Sequence, residues 1–135
     1  MGSDGEWLER ARAVIRSDAA AILATLDGVD ETFLAVARRL IGCRGKILVT
    51  GSGTSGSIAR RAAHLLSVGG TPAFHLAPAD GLHGGLGVLA PDDLVLALSK
   101  GGGSEELNAF CARAKRLCGG LICITADRQS PLAAM

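Results

Sequence analysis

The sequence has almost no excess of charge of either sign. Its 135 residues carry 14 Lys and Arg against 13 Asp and Glu, which leaves a formal net charge of +1. The basic residues are scattered along the chain, whereas a protein that reads nucleic acid usually carries a basic stripe or patch. Composition therefore argues against nucleic acid as the primary ligand.

Long apolar runs and a secretory leader are also absent. The longest apolar stretches have the length of a strand and are broken by Gly or charge, whereas a membrane-spanning helix needs about 20 apolar residues. Residues 1–6 (M-G-S-D-G-E) lack the basic and apolar regions of a signal peptide. No membrane partner is expected, and the pattern is typical of a soluble, cytoplasmic protein of one domain.

The four cysteines form no metal-binding pattern. Cys43, Cys111, Cys118 and Cys123 contain no C-x-x-C pair and have no His at ligand spacing. Cys111 and Cys118 are predicted to share one face of a helix, and Cys123 falls in an apolar strand. We therefore expect four small buried thiols in a reducing compartment, rather than a zinc site or a disulfide framework.

Apolar periodicity predicts two helices followed by an alternating α/β region. The first helix is marked by apolar residues between Trp7 and Leu26, and the second begins near Asp30, a suitable N-cap. The apolar residues of the second helix are predicted to face inward; they are Phe33, Leu34, Ala37, Leu40 and Ile41. From residue 45 the order is strand 46–50, helix 55–68, strand 73–76, an irregular Gly-rich stretch 77–89, strand 94–99, helix 104–117 and strand 121–125. Continuous apolar strands such as 94–98 belong to a parallel sheet covered on both faces.

Two Gly/Ser turns each follow a predicted strand and lead into a predicted helix. They are residues 51–56 (G-S-G-T-S-G) and 99–104 (S-K-G-G-G-S). Glycine lets the backbone approach an anion, and the N–H groups at the start of the next helix favour negative charge. If strands 46–50 and 94–99 are neighbours, both turns border one crevice at the carboxyl ends of the strands. This arrangement predicts one phosphorylated ligand held from two sides; the alternative is that the glycines only make tight connections.

These turns and the segment between them resemble the sugar isomerase (SIS) domain family, most closely its arabinose-5-phosphate isomerase branch. The resemblance covers about residues 45–134 and rests on the ordered set 51–56, G-T-P-A-F at 70–74, P-A-D at 78–80, H-G at 83–84, P-D-D at 91–93 and S-E-E-L at 104–107. It implies a flavodoxin-like parallel α/β sheet with helices on both faces, preceded by the two N-terminal helices. The implied organisation is a single SIS domain over 1–135, with a helical segment 1–44 and a core 45–135. Four strands are predicted, and the last βα unit of a five-stranded fold is expected to be missing.

The resemblance also implies an aldose–ketose isomerase of the arabinose 5-phosphate/ribulose 5-phosphate type. Such proteins form dimers or tetramers in which neighbouring copies share sites, and neither a cofactor nor a metal is expected. The two loops would bind the phosphorylated sugar, through Gly51, Ser52, Gly53, Thr54, Ser55, Ser99, Lys100, Gly102 and Ser104.

Isomerisation moves a proton between C1 and C2, and it needs a base that titrates near neutral pH. His83 is the first candidate because an imidazole does so and its Gly-rich surroundings admit a sugar; the alternatives are that it opens the sugar ring or bonds a backbone carbonyl. Asp80 would orient His83 or a sugar hydroxyl, or would cap a turn; Glu105 is a second base candidate, or only favours the dipole of its helix. Lys100 would place a cation near the phosphate or the enediolate, or is a solvated loop lysine.

Several positions depart from the isomerase pattern. Thr54 stands where these enzymes usually carry Lys, Gly103 where they carry Glu, Asp80 where they carry Glu, and Gly85 where they carry Asp. A non-catalytic sugar-phosphate sensor is therefore the alternative function. Residues 51–56 also satisfy a dinucleotide fingerprint, but no acidic residue ends strand 73–76 to hold a ribose.

Overall fold

The structure is a computed structural model that describes residues 2–135. Its contacts divide into two compact units, one up to Arg38 and one from Arg39 to Met135. The assignment of residues 1–135 to one domain stays a prediction. No helix within residues 2–135 is both long and apolar enough to cross a membrane.

The N-terminal unit contains the first predicted helix, α1 (Asp4–Ala24), which begins with a capping box. The Ser3 hydroxyl accepts a hydrogen bond from the Glu6 N–H, and the Glu6 carboxylate accepts one from the Ser3 N–H at 2.6 Å. These reciprocal bonds satisfy two N–H groups that a helix start leaves without partners. A short 3₁₀ turn (Thr25–Gly28) follows α1.

Helix α2 (Glu31–Ile41) starts directly after Asp30, the N-cap that the sequence predicts. The Asp30 carboxylate accepts from the N–H groups of Thr32 and Phe33 at 2.9 and 3.1 Å. The prediction that the apolar residues of α2 face inward is wrong for Phe33, Leu34 and Ile41, which are 52%, 41% and 86% exposed, whereas Ala37 and Leu40 are half-buried. Helical spacing shows which side chains share a face, but it does not supply anything that covers that face.

The second unit is built on a four-stranded parallel sheet. Its strands are β1 (Ile47–Thr50), β2 (Ala73–His75), β3 (Leu94–Leu98) and β4 (Gly120–Ile124), in the order β2-β1-β3-β4. Strands β1 and β3 are therefore the central neighbours that the predicted crevice requires. Their carboxyl ends lie side by side.

Two crossover helices cover the sheet. Helix α3 (Gly53–Val68) connects β1 to β2, and helix α5 (Glu105–Ala114) connects β3 to β4. The two connections run in opposite directions along the sheet, so right-handed crossovers place the helices on opposite faces. This two-sided cover explains the continuous apolar strands: all four residues of β1 are fully buried.

One predicted assignment in this unit is wrong. The stretch 77–89 is not irregular, because it contains helix α4 (Pro78–Leu82) and a 3₁₀ turn (Gly85–Val88). Pro78 opens α4 at the first helical position, where a missing N–H costs nothing. Gly81 allows α4 to pack closely on α5, since a Cβ there would lie 2.2 Å from the Phe110 ring.

The cysteine predictions also need a correction. Helix α5 ends at Ala114, so Cys118 lies beyond it and does not share a helix face with Cys111. Cys111 is fully buried, whereas Cys43, Cys118 and Cys123 are half-buried. Burial raises the pKa of the Cys111 thiol to about 12, with smaller contributions from the neighbouring Cys123 and Cys118.

Asp93 fixes the amino ends of β1 and β3 next to each other. Its carboxylate, 1% exposed, accepts from the Lys46 N–H at 2.9 Å, the Lys46 ammonium at 2.6 Å and the Ala90 N–H at 2.7 Å. Burial alone would raise the pKa of Asp93, but these hydrogen bonds and the Lys46 charge outweigh it, and the pKa lies below its ordinary value. The clamp sets the alignment of the two strands whose other ends carry the Gly/Ser loops.

Candidate functional site

The first loop, residues 51–56, joins β1 to α3 and presses against the end of β3. A Cβ on Gly51 would lie 2.9 Å from the carbonyl oxygens of Leu98 and Ser55, so only glycine permits this approach. The Ser52 hydroxyl oxygen is buried and has no hydrogen-bond partner among residues 2–135. Gly53 takes φ +57° and begins the helix, which leaves Ser55 in its first turn.

The second loop, residues 99–104, joins β3 to α5 and turns at Gly102. Gly102 is buried and takes φ +62°. Its N–H donates to the Ser99 hydroxyl oxygen at 3.1 Å. Because this bond occupies the hydroxyl as an acceptor, the Ser99 proton remains free to be donated elsewhere.

The end of β4 supports the second loop from the other side. The Ser99 N–H donates to the Ile124 carbonyl at 3.0 Å, and the Ala126 N–H donates to the Lys100 carbonyl at 3.0 Å. The Thr125 hydroxyl donates to the same Lys100 carbonyl at 3.2 Å. The backbone that carries Ser99 and Lys100 is therefore tied to the neighbouring strand.

A cavity of about 160 Å³ opens where the two loops meet the end of β4. Its polar lining comes from Ser55, Ser99, Lys100 and Thr125, and its apolar lining from Ile58, Leu98, Ile124 and Ala126. The Lys100 ammonium has no carboxylate within 4.0 Å in the described part of the chain. Three hydroxyl-bearing residues and one lysine thus line a small space beside the start of α3, and these residue types are the ones that bind anions.

The cavity gathers some of the predicted binding residues and not others. Ser55, Ser99 and Lys100 line it, while Gly51 and Gly102 shape the loops around it. Ser104 does not line it; its hydroxyl accepts from the Leu107 N–H at 3.4 Å and caps α5. Thr54 and Gly53 lie exposed in the first turn of α3, outside the lining.

The three predicted catalytic residues do not line this cavity either. Asp80 is exposed in the first turn of α4, and His83 is exposed at the end of that helix. Glu105 is the first residue of α5 and is also exposed. Within one chain, none of the three candidate catalytic residues is part of the lining of the candidate anion site.

The remaining histidines, His64 and His75, do not line the cavity. His64 is exposed on α3, and His75 lies in β2 with its Nε2 buried and unpartnered among residues 2–135. Burial lowers the pKa of His75, Arg60 lowers it further, and Asp80 partly opposes them. The surroundings of His75 therefore favour its neutral form.

Sequence reasoning missed the contribution of β4 to the site. The cavity lining also includes residues that were not among the predicted binding residues, namely Thr125, Ile124, Ala126 and Ile58. A signal was available, because Thr125 is the last residue of the predicted strand 121–125 and the carboxyl ends of parallel strands meet at one edge. Which strand neighbours β3 is decided by the sheet order, which the sequence does not display.

Comparison with known proteins decides the family. Residues 40–135 match the SIS domain. This chain belongs to the SIS domain family. The SIS chain is 39% identical over 112 residues to arabinose 5-phosphate isomerase KdsD of Shigella flexneri, a match that covers 82% of this chain and 34% of that protein. It is 32% identical over 133 residues to the KdsD of Pseudomonas aeruginosa, covering 98% of this chain and 41% of that protein.

A solved structure shows the same relationship. The SIS chain aligns with an Escherichia coli CFT073 protein in complex with arabinose 5-phosphate at a TM-score of 0.91 and 29% identity, covering 98% of this chain and 71% of that one. The expected family and α/β fold are therefore confirmed. The chain spans less than half the length of the two curated relatives.

The departures from the isomerase pattern have different structural settings in this SIS chain. A Cβ on Gly103 would meet nothing closer than the Gly101 carbonyl oxygen at 4.0 Å, so a side chain there meets no obstacle. A Cβ on Gly85, in contrast, would lie 2.9 Å from the Asp80 carbonyl oxygen, so the backbone here does not accept the aspartate of the isomerases without moving. Within residues 2–135, no group of three or more His, Cys, Asp or Glu is placed to hold a metal ion.

Proposed function

We propose that this SIS chain binds a phosphorylated sugar at the cavity between its two Gly/Ser loops and isomerises it between aldose and ketose forms. The arabinose 5-phosphate/ribulose 5-phosphate pair is the proposed substrate class. The observation that carries the proposal is that Ser55, Ser99 and Lys100, from two loops far apart in sequence, line one cavity at the start of α3. The identity to arabinose 5-phosphate isomerases supports the choice of sugar.

The phosphate is the part of the substrate that the cavity suits. Pockets that enclose a whole small ligand usually measure about 300–1,000 Å³, and this cavity measures about 160 Å³. It therefore takes the phosphoryl end, held by the hydroxyls of Ser55 and Ser99, the Lys100 ammonium and the N–H groups of the first loop. The sugar then extends out of the cavity, where further residues can reach it.

The base for proton transfer is proposed to come from a second copy of the chain. His83 is exposed and does not line the cavity of its own chain. In a homodimer or tetramer, His83 of one protomer would serve the cavity of its partner, taking a proton from C2 of the aldose and returning one to C1 of the enediol. Asp80, three residues earlier on α4, would orient that imidazole, with Glu105 as the second candidate base and Lys100 near the developing enediolate.

Binding is tested first, with arabinose 5-phosphate and calorimetry. The Ser55→Ala/Ser99→Ala variant removes two hydroxyls that line the cavity and is expected to weaken binding by about 1–3 kcal/mol, the range for hydrogen bonds to charged groups. Ser57→Ala is the matched control, because Ser57 lies on the same helix, is exposed and does not line the cavity. Equal affinity in the wild type and the double variant would reject this cavity as the phosphate site.

Catalysis and site sharing are tested by mixing two impaired chains, at an arabinose 5-phosphate concentration too low to occupy the cavity of the Ser55→Ala/Ser99→Ala variant. In D₂O, wild type should exchange the C2 proton of arabinose 5-phosphate for deuterium, and His83→Gln should not. When His83→Gln chains are mixed with Ser55→Ala/Ser99→Ala chains, each mixed dimer holds one intact site, so about a quarter of wild-type exchange should return. Restoration contradicts a site built within one chain, whereas no restoration contradicts the sharing of His83.

One observation favours a sensor as the second candidate function. Among residues 2–135 no carboxylate or imidazole lines the cavity, and Thr54 and Gly103 occupy positions where the isomerases usually carry Lys and Glu. A sensor would bind the phosphosugar and show no deuterium exchange with any sugar phosphate that it binds. An isomerase both binds the sugar phosphate and exchanges its C2 proton for deuterium.

A further inference from the structure

Asn108 makes an unusual pair of contacts behind the second loop. It lies on α5, and its amide nitrogen donates to the Gly102 carbonyl at 3.1 Å. Its amide oxygen is buried and has no hydrogen-bond partner in the described chain. A buried polar oxygen without a partner carries a penalty that an apolar side chain of the same size would avoid. The amide therefore contributes through its donor alone.

That donor is linked to the cavity through a single residue. Asn108 holds the carbonyl of Gly102, and the N–H of Gly102 donates to the Ser99 hydroxyl oxygen at 3.1 Å. Gly102 sits at φ +62°, at the turn of the loop. The N–H and the carbonyl of Gly102 lie in separate peptide planes that meet at its Cα, so a displacement of the Gly102 backbone as a whole removes the bond that orients the Ser99 hydroxyl.

We propose that Asn108 is a positioning residue for the anion site: by holding the Gly102 carbonyl, it keeps the Ser99 hydroxyl proton directed at an anion in the cavity. The identity of that anion as a sugar phosphate rests on the proposed function. The positioning itself rests only on the chain of contacts from Asn108 through Gly102 to Ser99.

The loop keeps part of its support when Asn108 is replaced. The Leu132 N–H also donates to the Gly102 carbonyl, at 3.2 Å. Asn108→Leu is nearly isosteric and removes both the amide donor and the unpartnered amide oxygen. Losing the hydrogen bond to the Gly102 carbonyl lowers the free energy of unfolding, whereas removing the buried unpartnered oxygen raises it, so the two effects oppose each other. This variant is therefore expected to separate orientation of the loop from folding of the domain.

Inorganic sulfate is the probe, measured on the full chain by ¹H–¹⁵N NMR titration together with hydrogen exchange of the Gly102 amide. Asn108→Leu should bind sulfate about three- to tenfold more weakly than wild type, and its Gly102 amide should exchange about tenfold faster. Ser67→Ala is the control, since it removes a side-chain bond to the Ala73 carbonyl at the other end of α3. It should leave both measurements unchanged.

Asn108→Asp provides a second variant with a signature that a packing role would not produce. Its carboxyl donates to the Gly102 carbonyl only while protonated, so its Gly102 amide should be protected near pH 4 and should exchange relatively faster near pH 7 once the intrinsic pH dependence is removed. Wild type should show no such step.

The outcomes separate the two proposals. If both Asn108 variants match wild type in Gly102 exchange and in sulfate affinity, the positioning role is overturned. If wild type binds neither sulfate nor arabinose 5-phosphate, the proposed function loses its anion site, and the Gly102 exchange rates still decide whether Asn108 holds the loop.

Discussion

Replacing Gly102 by alanine should destabilise the fold by an amount that can be worked out from its surroundings. Gly102 turns the second loop at φ +62°, and a Cβ added there would lie 2.1 Å from the Ser130 hydroxyl oxygen and 2.4 Å from the Ser130 Cβ. Gly102→Ala therefore meets two separate obstacles. The first belongs to the backbone conformation and the second to one identified neighbour.

The conformational cost and the steric cost of Gly102→Ala differ in size, and only the steric cost can be relieved by changing Ser130. A residue with a Cβ pays about 1–2 kcal/mol in the left-handed region, and overpacking of a buried position costs about 1–3 kcal/mol. Gly102→Ala should thus lower the free energy of unfolding by about 2–5 kcal/mol. In a Ser130→Gly background these two atoms are gone and the nearest remaining one is the Thr125 hydroxyl oxygen at 3.2 Å, so the same substitution should cost little beyond the conformational part of about 1–2 kcal/mol.

Urea denaturation of the four chains of this double-mutant cycle measures both costs. Gly101→Ala is the matched control, because Gly101 is exposed, has no atom within 4 Å of an added Cβ and is not at positive φ. That control should be close to neutral. The reasoning is refuted if Gly101→Ala and Gly102→Ala cost the same, or if the Ser130→Gly background leaves the cost of Gly102→Ala unchanged.

Three other predictions concern Asp93, Cys111 and two of the positions that depart from the isomerase pattern. Because hydrogen bonds lower the pKa of the folded Asp93 carboxyl, its contribution to stability is present above the ordinary carboxyl pKa near 4 and is lost as the pH falls through the lowered value. Asp93→Asn should therefore lower the unfolding free energy at about pH 7 by about 2–3 kcal/mol and flatten the acid limb of the stability curve; an acid limb as steep as that of wild type would contradict this. Burial raises the pKa of the Cys111 thiol to about 12, so mass spectrometry should find it unmodified by iodoacetamide in the native chain and alkylated after unfolding; equal labelling in both states would be inconsistent with this. Thr54→Lys/Gly103→Glu places a cation and a carboxylate at exposed positions with room for them, and it should raise deuterium exchange on arabinose 5-phosphate at least about tenfold without loss of stability; unchanged exchange would show that these two groups are not what limits this chain.

The parts of the protein that depend on neighbours in sequence were predictable from the sequence. Apolar runs of strand length identified β1 and β3, Asp30 marked the start of α2, and the Gly/Ser pattern identified both loops. These features are local because backbone conformation, helix capping and turn formation involve residues a few positions apart. Even there, Pro78 opened a helix within a stretch whose glycines indicated irregular structure.

The composition of the site was decided by the tertiary structure. The sheet order places the end of β4 beside β3, which brings Thr125 into the cavity, and the start of α5 uses Ser104 as its cap instead of presenting it there. The Asn108–Gly102 bond, in contrast, is local, because Asn108 lies near the start of α5, directly after the loop that Gly102 turns. The sequence by itself determined which segments form strands, helices and anion-binding turns, while strand order and packing decided which side chains share one space, because that choice depends on contacts between residues far apart in the chain.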